Sequence, residues 1–137
     1  MFETSLYLLA GLPNFLIYFV TAIILLMLFI GIYTWLTPHS ELALIRANNP
    51  AAAVAFGGAM IGFALPLSSA ISHSLTLLDC IVWGLVAVVI QALTFVVLRM
   101  AVSNLSGRIS NGELAPAIFT ASTAITVGLI NAACMTY

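Results

Sequence analysis

Four long stretches of this chain carry no Asp, Glu, Lys or Arg, and they set its organisation. The charged side chains are Glu3, Glu41, Arg46, Asp79, Arg99, Arg108 and Glu113. Each uncharged run between or after them can supply the roughly 20 apolar residues that a bilayer crossing needs. The pattern places spans at 12–36, 51–73, 80–101 and 114–136. Hydrocarbon offers no water to bond the backbone, so each run must be helical; a closed barrel would need an alternating pattern, which is absent. The chain therefore reads as an all-α polytopic membrane protein of four helices. It is one membrane domain, 1–137, with no room for a soluble one.

Side-chain size separates the spans into two kinds. Spans 1 and 3 are bulky, rich in Ile, Leu, Val, Phe and Met, as expected of helices that face lipid. Spans 2 and 4 are rich in small residues. Span 2 holds Gly58-Ala-Met-Ile-Gly62, and in span 4 Thr120, Ala124 and Gly128 recur every four residues. Small side chains let helix backbones approach closely in lipid, so these positions form the predicted packing seam. Pro66 lies four residues after Gly62. Its ring clashes with the Gly62 carbonyl and leaves it without a donor, which predicts a kink; Ser68 or Ser69 is a candidate to satisfy freed polar groups.

The connections carry their own signals. Residues 1–11 read as a short interfacial segment, with Tyr7, Phe15 and Tyr18 in the aromatic belt and Tyr33 and Trp35 at the opposite boundary. The first span lacks a basic leader and is too long for a signal sequence, so it is expected to be retained. Thr37-Pro38-His39-Ser40-Glu41 reads as a helix start, with Thr37 capping and Pro38 in the first helical position. The short helix that follows would turn Leu42 and Ile45 to the bilayer and Glu41 and Arg46 to water. Asn49-Pro50 repeats the cap-then-proline device at the start of span 2.

Sliding the chain by 62 residues superposes Arg46 on Arg108, Asn49 on Asn111 and Ser69 on Asn131. With the bulky-then-small order of both halves, this suggests a duplicated helix hairpin, 12–73 and 80–136. Two spans per repeat preserve orientation, so the halves would be related about an axis along the membrane normal. Spans 2 and 4 would meet near it, with spans 1 and 3 outside.

Composition adds orientation. Only 5% of the residues are charged, against about a quarter in a soluble domain. All three basic residues fall in or beside the connections 37–50 and 102–113, whereas the opposite side carries only Glu3 and Asp79. Under the positive-inside rule both basic loops are cytoplasmic and both termini face out.

Several strings carry a specific likeness: Thr37-Pro38-His39, Asn48-Asn49, Pro66-Leu67-Ser68-Ser69-Ala70, Trp83-Gly84, Gln91, and Asn131-Ala132-Ala133-Cys134-Met135-Thr136. Over nearly the whole chain they resemble the YjfL-type family of small bacterial inner-membrane proteins, which have four spans and an internal repeat. The resemblance implies localisation and topology, and it brings no activity with it.

Candidate chemistry is sparse. Ser68, Ser69, His73 and Asn131 fall near the outer ends of the small-residue helices and could line a vestibule, or else bond one another as helix glue. Gln91, near mid-membrane, is either a pore or oligomer contact or an amide satisfied by a neighbouring helix. Cys80 and Cys134 could form a disulfide if the outer side is oxidising, or remain free thiols. His39 and His73 lie on opposite sides and cannot share a metal within one chain. Paired carboxylates, an activated nucleophile and a phosphate-binding glycine loop are missing. We therefore expect no enzyme, no cofactor, no metal and no nucleic-acid partner. The expected role is an oligomeric scaffold or subunit in the bilayer, self-associating or docking a membrane or cytoplasmic protein at its inner loops. The alternative is a channel or small passive transporter with a Ser/Thr/Asn-lined path at the oligomer or repeat axis.

Overall fold

The computed structural model describes residues 1–37 and 41–135. These form six helices: α1 (Phe2–Leu36), α2 (Glu41–Arg46), α3 (Pro50–His73), α4 (Leu77–Ala101), α5 (Leu105–Ser110) and α6 (Leu114–Cys134). No strand occurs among the described residues. α1, α3, α4 and α6 are long and apolar enough to cross a bilayer, so the protein is an all-α membrane protein of four candidate spans. The cap assigned to Thr37-Pro38 and the position of His39 involve residues 38–40, outside the described residues.

α1 departs most from expectation. In place of an interfacial segment followed by a span, one helix of 35 residues runs through Pro13. At 1.5 Å per residue it is about 50 Å long, against about 36 Å for the 24 residues of α3. Gly11 and Pro13 look like breakers, yet a proline removes one main-chain donor and leaves the rest of the helical ladder in place, so α1 runs through both. Residues 2–17 of α1 are exposed, and its burial begins near Leu25.

α3 packs most extensively on α6. α4 lies against α1, α3 and α6, and is therefore more central than the outer place expected of span 3. The core in the half of the bundle nearer α2 and α5 is aromatic. Phe29 stacks on Phe63 with ring centroids 4.7 Å apart, Tyr33 on Phe56 at 5.7 Å, and Tyr33 meets Phe95 edge-on at 5.0 Å. Tyr33 is thus a core residue at 3% exposure, not a boundary one, while Trp35 is exposed.

The connections are short and tightly bonded. Asn49 caps α3, its Oδ1 accepting from the Ala52 amide at 3.2 Å. Its Nδ2 donates to the carbonyls of Ile109 and Ser110 at 3.2 and 3.1 Å, tying the start of α3 to the end of α5. Left-handed residues precede both long helices that follow, Asn48 at φ 65° and Gly112 at φ 83°. The turns match in detail: Asn48 N–H bonds Ile45 O as Gly112 N–H bonds Ile109 O, and Asn49 N–H bonds Leu44 O as Glu113 N–H bonds Arg108 O. This register lies two residues away from the one that places Arg46 on Arg108. Arg99 Nη1 donates to Leu36 O at 2.9 Å, satisfying a terminal carbonyl of α1 with a cation. Glu41, expected to face water, is buried at 1% exposure, within electrostatic reach of Tyr33. Leu44 and Ile45 pack on the core, which leaves Leu42 outward.

Candidate functional site

The small residues of α3 and α6 bring their backbones into direct contact. A Cβ built on Gly58 would overlap Ala121, one on Gly62 would overlap the Ala124 carbonyl, and one on Gly128 would overlap the Gly62 carbonyl. Side chains are excluded there by the approach of the main chains, an arrangement that favours dispersion and Cα–H···O contacts. Thr120, on the same buried stripe, satisfies its hydroxyl by donating to Pro116 O at 2.8 Å.

Gln91 of α4 completes this seam. Pro66 has no N–H, so the Gly62 carbonyl lacks the donor that a continuous helix would supply. Gln91 Nε2 donates to Gly62 O at 3.0 Å and to Ala124 O at 3.1 Å. One amide therefore satisfies the carbonyl freed in α3 and clamps α3 to α6. The sequence places both partners in charge-free spans but does not pair them. The readable signal was the combination itself: a proline that orphans a carbonyl, and a lone buried-type amide in another span that needs acceptors.

The cavity beside Gln91 is only about 10 Å³, walled by Phe29, Tyr33, Phe95 and Thr120 among others. That is at the threshold for a single water. The interior of one chain is packed around the amide.

The remaining polar candidates lie apart from Gln91, about two helical turns away along α3. Ser69 Oγ donates to Ala132 O at 3.4 Å, a weak tie between α3 and α6. His73 Nδ1 lies 3.0 Å from Ser69 O, and Ser68 is exposed. Asn131 is half-buried, and its Nδ2 has no partner among the described residues. Ser69, His73 and the Asn131 turn of α6 thus share one end of the bundle, while Gln91 belongs to the seam. Cys80 is buried and Cys134 exposed, both as free thiols. Among the described residues, no group of three or more His, Cys, Asp or Glu side chains is placed to hold a metal.

Outside the seam, the lipid-facing surfaces differ in kind. α1 and α4 expose Leu, Ile, Val and Phe. α3 exposes fewer large side chains: Ile61 is outward, and around it lie exposed Ala53, Ala64 and Ser68 with half-exposed Gly57, where the nearest space is open. α6 exposes Ser122 and Thr126, one turn apart, between outward Ile118 and Phe119 on one side and Leu129 and Ile130 on the other.

Comparison with known proteins agrees with this architecture. The chain is 39% identical over 132 residues to the UPF0719 inner membrane protein YjfL of Escherichia coli strain K12, an alignment covering 96% of this chain and 100% of the relative. The protein of the same name from Escherichia coli O157:H7 matches to the same extent. No solved structure matches. The family model described as Domain of Unknown Function (DUF350) matches residues 7–135, and the chain belongs to that family.

Proposed function

We propose that the protein is an inner-membrane subunit that works by assembly, with copies associating through the outward faces of α3 and α6. The observation that carries this reading is the group of small or hydroxyl-bearing outward residues, Ala53, Gly57, Ala64 and Ser68 around Ile61 on α3, and Ser122 and Thr126 between Phe119 and Ile130 on α6. Against lipid such a face wastes contact area, whereas against another helix it permits close packing. The similar turns of the two halves support a duplicated hairpin, and the placement of the Arg residues supports cytoplasmic α2 and α5 with both termini outside. On that orientation α2 and α5 are the surface open to a cytoplasmic or membrane partner. Among the described residues no nucleophile stands beside an organised base, and the reading proposed is non-enzymatic.

The test is gentle solubilisation from the native membrane followed by mass measurement of the intact assembly. Several copies, lost on Ala64→Leu, support the proposal; a monomer in both cases overturns it.

A second reading, a passive channel, draws on the exposed hydroxyls of Ser68, Ser122 and Thr126. The filled interior around Gln91 means that a conducting path would run between copies. Solute flux through the reconstituted assembly, reduced by Ser122→Leu, is its expected result.

A further inference from the structure

A wide concavity lies away from the seam, where α1 passes the connection between α3 and α4. It has a volume of about 530 Å³ and is walled by Asn14, Phe15, Tyr18 and Phe19 of α1 and by Ile71 and Ser74 across from them. That volume falls within the roughly 300–1,000 Å³ of sites that hold small ligands. Its level is fixed by its walls. α3 ends at His73, and a helix of this length spans the hydrocarbon core with a few Å to spare, so the groove sits where acyl chains meet headgroups.

Two polar groups of the groove are left to an outside partner. Ser5, Thr21 and Thr34 of α1 all donate back to carbonyls of their own helix. The Ser74 hydroxyl likewise donates to Ala70 O. Asn14 and Tyr18 make no hydrogen bond among the described residues. They are four residues apart, so the amide and the phenol share one helix face. Beside them Phe15 and Phe19 stack at 5.7 Å, offering an apolar wall. An amide in an otherwise apolar helix facing the bilayer costs free energy unless something accepts from it.

The lining contains no charged side chain among the described residues. Its occupant is therefore recognised by neutral acceptors attached to an apolar body. We propose that this groove seats one bilayer phospholipid by its glycerol-ester region. The ester carbonyls accept from Asn14 Nδ2 and the Tyr18 hydroxyl, and the upper acyl chain lies along Phe15, Phe19 and Ile71. Because no cation lines the groove, binding follows the ester region rather than headgroup charge. A second copy of this chain is the competing occupant, and a photo-crosslink distinguishes it from lipid.

The experiment is native mass spectrometry of the full-length protein released from vesicles of pure phosphatidylethanolamine or pure phosphatidylglycerol, for the wild type and for the Asn14→Leu/Tyr18→Phe double variant. The wild type should retain one more lipid per chain than the variant, with retention differing less than about twofold between the two headgroups. Asn14 is exposed and Tyr18 only half-buried, so the variant should keep its helical content and copy number. Photo-crosslinking from benzoylphenylalanine placed at Phe19 gives an independent readout: a lipid adduct supports the site. Equal lipid retention by the variant, a dependence on one headgroup of more than tenfold, a crosslink to a second copy, or a loss of copy number in the variant would each overturn it.

Discussion

Gln91 stands 29 residues along the chain from Gly62, and its amide fills the hydrogen-bond place that Pro66 empties on the Gly62 carbonyl. The three residues are therefore one unit spread over two helices, and their energies should not add. Interhelical hydrogen bonds in membranes contribute about 0.6 kcal/mol on average and up to about 1.7. Gln91→Leu removes two, to Gly62 and to Ala124, and should cost about 1–3 kcal/mol. Pro66→Ala restores a main-chain donor to Gly62, so it should cost less in the Gln91→Leu background than in the wild type. Unfolding in mixed micelles of rising dodecyl sulfate, followed by circular dichroism, gives the four corners of the cycle. Strict additivity would show that the carbonyl is satisfied some other way.

The seam should be intolerant of even one carbon. Gly128→Ala puts a methyl group into the Gly62 carbonyl, main chain against main chain, with no flexible side chain to yield. Overpacking of this kind costs about 1–3 kcal/mol. Gly31→Ala is the matched control, because nothing lies within 4 Å of that Cβ. It should be neutral or stabilise by up to about 1 kcal/mol through helix propensity. The same micelle titration distinguishes them, and equal effects at the two sites would remove the close approach as the cause.

These residues also show what was legible in the chain. Spans follow from where charges are absent, since hydrocarbon excludes charge whatever the fold, and three of the four spans begin and end within a few residues of the helices. The beginning of α1 does not follow in the same way: Gly11 and Pro13 have the composition of a helix boundary, yet a single missing donor at Pro13 does not end the helix. The close approach of Gly62 to Gly128 follows from small residues recurring at helical spacing. Which aromatic faces inward does not: Tyr33 and Trp35 are equally apolar at this level of reading, yet Tyr33 is in the core and Trp35 is out. The burial of Glu41 and the pairing of Gln91 with Gly62 depend on which helices become neighbours. Hydropathy says nothing about that.

Asn49 offers a test of how the two connections on the Arg side are held together. Its Oδ1 caps α3, while its Nδ2 reaches Ile109 and Ser110 of α5. Asn49→Asp keeps the cap but turns an oxygen toward two carbonyls. Asn49→Ala removes everything. If capping were the whole role, Asp would behave as wild type. We predict instead that both variants lose stability, by about 1–3 kcal/mol from the cap and the lost donors together. Both should also raise the rate at which an added protease cuts between α5 and α6. A wild-type rate for Asn49→Asp would confine the role of Asn49 to α3.

The two thiols report on burial and orientation at once. Cys80 is fully buried in the bundle, and Cys134 ends α6 at the surface. A thiol must reach water to ionise and react with a maleimide, so Cys134 should be modified quickly and Cys80 only after denaturation. Cys134→Ser supplies the control, since the folded variant should take up no label. With a membrane-impermeant maleimide on cells whose outer membrane has been permeabilised, Cys134 should be labelled while the inner membrane is intact. That follows from the proposed cytoplasmic placement of Arg46, Arg99 and Arg108, which would put the end of α6 outside. Labelling that begins only after the inner membrane is broken would invert the topology. The Arg-bearing connections, and with them the proposed docking surface of α2 and α5, would then face the periplasm.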